Sequence, residues 1–347
     1  MEKKSIVFIM NPISGTASKA GVPDLIKENL DQEKFEYEIR MTEYAGHASE
    51  IAKEAMNNGI DIVVAVGGDG TVNEVARAIV HSNTALGIIP CGSGNGLARH
   101  LLLPMNAKKA IEIINACDIR DFDYGIINEH PFFCTCGMGF DAFVSKKFAD
   151  SGKRGPISYA EQILKEGLSY KPQTYTIKDE NGATTYNAWL ISCANASQYG
   201  NNAYIAPQAS MSDGWLDIII MEPFDMIEAP EVWLEMLNKT LDKNPNIKTF
   251  RSKNIHVHRD EPGVIHYDGD PVMAGTDIDV EIVEKGIKML INPFTDRSQR
   301  QPSKFQNAAT ELLNEINNIR TGVREDFSQT SKQIQAITKA VQKKLNL

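Results

Sequence analysis

The sequence predicts an open, mostly parallel α/β half followed by an antiparallel β-sandwich, with a helical tail at the end. Three observations predict it. Residues 62–66, Ile-Val-Val-Ala-Val, are continuously apolar and stop at Gly67-Gly68; such a run suits a central parallel strand buried on both faces. Strand-like and helix-like segments alternate up to about residue 120, the pattern of βαβ units. Beyond about residue 125, strand-like segments follow one another, several alternating apolar with polar side chains. Antiparallel strands with one wet face read that way.

Taken in order, residues 5–10 form a short apolar strand closed by Asn11-Pro12, and 35–41 a second. The third is 62–66, and the fourth, 85–89, ends at Pro90. Between them 24–30, 48–57 and 72–80 carry helical spacing, with Gly59 placed to stop the second helix. Later strands are expected over 132–136, 174–178, 186–194, 215–221, 254–258, 264–267, 278–283 and 287–291, with helices near 157–168 and 226–241. From Arg300 onward, Ala309, Leu312, Ile316, Ile319 and Val323 recur at spacings of three and four, as on an amphipathic helix or helical pair. The expected units are 1–125, an α/β domain; 126–292, a β-sandwich; and 293–347, a return segment and helical tail.

Composition narrows the function. The chain has 347 residues, 42% hydrophobic and 23% charged, which is ordinary for a globular protein. Lys plus Arg number 36 against 45 for Asp plus Glu, a net charge of −9. Nucleic acid is therefore not the expected partner, because phosphate backbones are bound by clustered cations. No apolar run approaches the roughly 20 residues that cross a bilayer, and the short stretch 6–10 does not read as a signal peptide. Five scattered cysteines fit a reducing cytoplasm better than a disulfide framework. The pairs Cys134/Cys136 and His256/His258 lack the further ligands that would complete a tetrahedral metal set. The tail from 300 carries eight basic residues against four acidic ones. Its expected partner is its own domain or a second copy in a homodimer, with an anionic membrane surface as the other reading.

The chemistry concentrates in Val66-Gly67-Gly68-Asp69-Gly70-Thr71-Val72-Asn73-Glu74. Three glycines at a strand end let the backbone turn sharply and approach a ligand closely. The following helix aims its free N–H groups and positive dipole end at that place, which suits phosphate. Asp69 in such a turn implies either Mg²⁺ or proton transfer. Two companion bends, Asn11-Pro12-Ile13-Ser14-Gly15 after the first strand and Pro90-Cys91-Gly92-Ser93-Gly94-Asn95-Gly96 after the fourth, lie at the same edge of a parallel sheet. Three such bends make a site for a polyphosphate nucleotide. Neither a Walker nor a Rossmann fingerprint is present.

These three bends, together with "APQASMSDGWLDI" and "VIHYDGDPV" further on, resemble the diacylglycerol kinase and sphingosine kinase family of lipid kinases. The resemblance covers about residues 5–293 with the motifs in order. It implies a nucleotide-binding α/β domain and a β-sandwich, with ATP's γ-phosphate moved onto a lipid hydroxyl in the cleft between them. By position it puts ATP on Asn11, Pro12, Ile13, Ser14 and Gly15, on Gly67 through Glu74, and on Thr42 and Ser93. A structural Mg²⁺ is implied at the Asp213 side chain with the carbonyls of Ser210 and Trp215. Asp123 and Asp141 resemble the family's substrate-side acids. The family's base is the glutamate of an Asp-Gly-Glu triplet; this chain has Asp268-Gly269-Asp270, so Asp270 and Asp69 are the candidate catalytic carboxylates. A second departure is Gly96, where many bacterial members carry an aspartate. The expected enzyme is thus an ATP- and Mg²⁺-dependent lipid kinase that is cytoplasmic and visits the membrane surface for its substrate. An NAD kinase, or a degenerate kinase acting as a nucleotide- or lipid-binding regulator, is the alternative.

Overall fold

The computed structural model describes residues 3–12, 21–151, 170–225 and 228–294. The helix expected near 157–168, the tail from 300 and the bend residues Ile13, Ser14 and Gly15 lie outside them.

In the first half, β1 (Lys4–Met10), β2 (Phe35–Met41), β3 (Ile62–Gly67) and β4 (Ala85–Pro90) run parallel in the order β2-β1-β3-β4. Successive side chains of a strand point to opposite faces, and here both faces are covered. Val7, Ile9, Val63, Ala65 and Ile88 pack under α2 (His47–Asn57) and α3 (Asp69–Ile79). Ile6, Phe8, Val64, Val66 and Ile89 pack under α1 (Val22–Asn29) and α5 (Ala107–Ala116). Double-sided burial is why 62–66 shows no polar alternation. A short helix, α4 (Gly96–His100), follows the third glycine bend. The sequence reading missed α5, although Asn106 caps it by accepting the Lys109 N–H at 3.1 Å.

The second half is two sheets face to face. One is six-stranded and antiparallel: β12 (Ile247–Ser252), β11 (Leu216–Met221), β10 (Leu190–Ala194), β7 (Thr135–Gly139), β14 (Gly263–Tyr267) and β15 (Asp270–Ala274), in that spatial order. Facing it are β8 (Gln173–Asp179), β9 (Gly182–Ala188), β13 (Asn254–Arg259), β5 (Ile119–Ile127), β6 (His130–Phe132) and β16 (Asp277–Leu290). Tyr175, Ile177, Val257 and Ile278 of one sheet meet Met138, Ile191, Ile218 and Ile265 of the other in a shared core. Two helices pack on the other face of the six-stranded sheet, against Leu190, Ile219 and Met221: α6 (Phe140–Ser151) and α7 (Ala229–Asn238), the latter within the 226–241 expected.

Four expected strands come out differently, each for a visible reason. The segments 278–283 and 287–291 are one strand: β16 bulges between Val283 and Ile287 and pairs with β5 on both sides of the bulge. Beyond the bulge it runs parallel to β4, with Lys288 opposite Ala85, so a single ten-stranded sheet passes through both halves. Gly286 is required there, since a Cβ would lie 2.3 Å from the Tyr124 ring. The expected strand 186–194 breaks at Trp189 and places its pieces in different sheets. The indole sits among Phe140 and Phe224, while its backbone carbonyl and N–H bond Phe140 and Met221. The expected strand 132–136 breaks at Phe133-Cys134 because their amides turn to the Asp268 side chain.

Candidate active site

The ends of β1 to β4 close in a row. Thr42 N–H donates to Met10 O at 2.9 Å, Asn11 N–H to Val66 O at 3.3 Å and Cys91 N–H to Gly67 O at 2.7 Å. Strand order reverses between β1 and β3, and a ligand crevice opens outside the carboxyl ends at such a switch point. The second and third bends touch backbone to backbone: a Cβ on Gly92 would lie 2.5 Å from Gly68 Cα. Helix α3 begins at Asp69 with Gly68 as its N-cap, and no side chain caps it. Its first-turn amides are therefore left for an anion. Thr71 and Asn73 are buried at this end, whereas the Val72 side chain belongs to the core and its amide bonds Gly68 O at 3.1 Å. Ser93 stands half-buried in the third bend and Glu74 half-buried on α3.

Asp69 holds the third bend in place. One carboxylate oxygen accepts the Gly96 N–H at 2.7 Å and the other the Asn95 N–H at 2.8 Å. Gly94 makes room, since a Cβ there would stand 2.7 Å from the same carboxylate. Burial pushes the Asp69 carboxyl above its ordinary value, while the amides of Gly96 and Asn95 and the Arg99 charge pull it back. The second half closes over this bend: Asn201 N–H donates to Gly94 O at 3.1 Å, and a Cβ on Gly96 would meet Tyr199 O at 3.2 Å.

The Asp268-Gly269-Asp270 turn joins β14 to β15 on the other side of the crevice. Asp268, at φ 53°, accepts three consecutive amides, those of Phe133, Cys134 and Thr135, at 2.8, 2.7 and 3.1 Å. The Cys134 thiol is pushed well up, first by burial and then by the charges of Asp268 and Asp69. Carboxylates from both halves thus act on that thiol. Asp270 forms an ion pair with Arg77 of α3 at 2.9 Å. Arg77 also lies 4.5 Å over the Tyr267 ring, which stacks on His130.

The two expected substrate-side acids are spoken for. Asp123, 2% exposed, accepts the Gly214 and Lys285 amides, both at 2.8 Å, and so ties the 213–215 turn to the β16 bulge. Asp141, 6% exposed, accepts the Ala142 N–H and meets His266 Nε2 at 3.0 Å and the Tyr199 hydroxyl at 3.2 Å. The pair borders the turn at 268–270, since Gly269 N–H points to His266 Nδ1 at 3.4 Å.

Ser210, Asp213 and Trp215 lie on one turn before β11. Asp213 accepts the Trp215 amide at 3.2 Å and pairs with Arg251 of β12. Nearby Asp217 is 3.8 Å from the same guanidinium, and its Oδ2 is buried without a partner among the described residues. Burial raises its carboxyl, and the Asp213 charge adds to that rise. The carboxylates of Asp213 and Asp217 are oxygen donors of the kind Mg²⁺ takes, and the cation now beside them is the Arg251 guanidinium. Among the described residues no three His, Cys, Asp or Glu side chains converge as a metal cluster, so backbone carbonyls must complete any such site.

A family profile described as the diacylglycerol kinase catalytic domain matches residues 5–127, and one described as the YegS C-terminal NAD kinase beta sandwich-like domain matches 134–291. The chain belongs to the diacylglycerol kinase family of lipid kinases. It is 27% identical over 274 residues to the Salmonella typhimurium protein named "Probable lipid kinase YegS", covering 76% of this chain and 89% of that one. It is 28% identical over 299 residues to an uncharacterised Synechocystis protein, covering 81% and 69%. A diacylglycerol kinase crystal structure from Bacillus anthracis superposes at TM-score 0.66 and 19% identity, over 84% of this chain and 97% of that one, which shows a shared fold.

For a member of the diacylglycerol kinase family, the residues that motif reading overlooked are those joining its two halves. Arg77 is one, on the helix that starts in the glycine turn. Asp268 is another, and an Asp-Gly pair at a strand end was its signal. Among the described residues no helix is long and apolar enough to cross a membrane.

Proposed function

We propose that the protein transfers the γ-phosphate of ATP to the hydroxyl of a diacylglycerol or sphingoid-base lipid, in the crevice between its halves. The observation that carries this reading is the backbone contact of Gly68 with Gly92 beside the uncapped start of α3. A loose phosphoryl-transfer transition state asks mainly for positioning and for neutralised charge, and bare amides at a helix start supply both. Asp69 acts in this reading as a positioning residue, because both its oxygens hold the third bend. Asp270 is the carboxylate assigned to take the acceptor's proton: Arg77 holds Oδ2, and Oδ1 has no partner among the described residues. Mg²⁺ at Ser210, Asp213 and Trp215 would staple the turn that Asp123 also holds, and would supply charge neutralisation there. The enzyme works at the bilayer surface as a peripheral visitor.

The deciding experiment incubates the protein with γ-labelled ATP and Mg²⁺ and presents diacylglycerol, sphingosine and NAD⁺ in parallel. NAD⁺ belongs on that panel because the second half matches a domain described as NAD kinase-like. Label in a lipid supports the reading. Label in NAD⁺ alone replaces it, and nucleotide binding with no labelled product points to a regulator.

A further inference from the structure

Five large hydrophobic side chains are conspicuously exposed among the described residues, and two of them, Met41 and Tyr44, sit together where β2 ends. Tyr44 is 54% exposed, yet it is not a loose side chain. Its ring lies parallel to His47, with centroids 4.5 Å apart and 3° between planes. Its hydroxyl donates to Glu50 at 2.7 Å, and His47 Nδ1 accepts the Glu43 N–H at 3.1 Å. In-plane polar atoms of both rings are thus tied to the backbone and first turn of α2. One face of Tyr44 is covered by the imidazole, and the ring is held flat with more than half its surface in water.

The place matters as much as the geometry. Tyr44 follows Thr42, whose amide bonds the end of β1, and β1 in turn bonds the end of β3 through Asn11. Neighbouring strands stand about 4.8 Å apart, so two steps along this edge cover roughly 10 Å. That is of the order of the span between a nucleotide's inner phosphates and its base. With phosphates at the start of α3, the sugar crosses β1 and the base arrives at β2. We infer that the Tyr44–His47 stack is the platform for the purine ring of the nucleoside triphosphate. Base stacking on an aromatic ring is tolerant of base identity, which suits a ring as exposed as Tyr44. The inference rests on the nucleotide reading of the glycine bends and adds the residue that grips the other end of the ligand.

The test compares ATP with inorganic tripolyphosphate, which has the phosphates and no base. Tyr44→Ala should weaken ATP binding about 10- to 100-fold, the usual worth of one stacked base, and raise KM for ATP with little change in kcat. Tripolyphosphate binding should be the same in both proteins, and Tyr44→Phe, which keeps the ring, should bind ATP as the unmodified protein does. Unchanged ATP affinity in Tyr44→Ala overturns the platform while leaving the phosphate site intact. Equal loss for ATP and tripolyphosphate also overturns it, because that outcome means a damaged loop. A wild-type protein that binds neither ligand removes the nucleotide reading itself, and the platform with it.

Discussion

Arg77 Nη1 lies 2.9 Å from Asp270 Oδ2, and the two residues come from opposite halves of the molecule. Arg77 sits in the last turn of the helix that Asp69 begins, so one rigid element runs from the glycine turn to the acidic turn. The guanidinium has further bonds to the carbonyls of Pro131 and Tyr267, at 3.2 and 3.4 Å. With Arg77 20% and Asp270 51% exposed at the side chain, the pair adds little to stability. Its use is to fix where the Asp270 carboxylate stands. If Asp270 takes the proton, Asp270→Asn lowers kcat by roughly 10²- to 10⁴-fold and leaves ATP affinity intact. Arg77→Met lowers kcat by less, and Arg77→Lys recovers part of it. Steady-state kinetics with a titrated nucleotide decides this, and full turnover in Asp270→Asn removes that residue from the reaction.

A methyl group at Gly92 tests the phosphate site directly. Its Cβ would stand 2.5 Å from Gly68 Cα and 2.8 Å from the Asn95 carboxamide. Backbone cannot swing aside as a side chain can, so the bends must separate, at an overpacking cost of roughly 1–3 kcal/mol. We expect Gly92→Ala to lose at least about tenfold in ATP affinity, a change of about 1.4 kcal/mol, in a protein that still folds. Gly275→Ala, away from the bends, is the companion: no atom lies within 4 Å of its Cβ position, so it should bind ATP as the unmodified protein does. Calorimetric titration of both variants separates crowding of the bends from a general effect of removing glycine.

Much of the first half was legible because its physics is local. The run 62–66 announces a strand covered on both sides, and the glycines after it announce a turn that needs bare backbone. What stayed hidden depends on pairing at long range. Nothing near residue 189 says that the chain changes sheets there, because the reason is a cluster of rings from Phe140, Tyr170 and Phe224. Nothing near 284–286 says that two strands are one, because the bulge is shaped by Tyr124 and by Asp123, far away in sequence. Likewise the motif supplied Asp69, yet not its employment, which depends on two amides 26 and 27 residues later.

The pH dependence of stability has a local source in the His256 cluster. The His256 imidazole is pulled above its ordinary value, first by its hydrogen bond to Asp279, with desolvation opposing and Asp277 adding to the rise. A raised histidine contributes stability that is complete below the unfolded value of about 6.5 and disappears as pH climbs through the folded value. Asp277, lowered first by its hydrogen bond to His258, works the other way: its contribution is present above about 3.8 and disappears as pH falls through its depressed value. Both are present together only in the window between. The imidazole side chain is 42% exposed, so screening holds its share to a few tenths of a kcal/mol. Denaturant unfolding of His256→Gln should therefore differ from the unmodified protein near pH 5–6 and converge with it above about pH 8. A difference that grows with pH would contradict this assignment.

Asp123 offers a clean choice between two roles. A substrate-side acid must present an oxygen to the acceptor, but here both oxygens accept amides, the buried one of Gly214 and that of Lys285. Removing the carboxylate strands the buried Gly214 N–H, at about 1–3 kcal/mol for an unsatisfied buried polar group, and loses the Lys285 bond, worth about 0.5–1.5 kcal/mol. Asp123→Ala should lose roughly 1.5–4.5 kcal/mol of folding stability by that reckoning. Asp123→Asn tests the point more finely, because its amide can accept one of the two bonds and cannot accept both through carboxylate oxygens. An intermediate loss of stability with an unaltered KM for the lipid identifies a structural tie between the 213–215 turn and the β16 bulge. A large rise in that KM at unchanged stability would instead return Asp123 to the acceptor site.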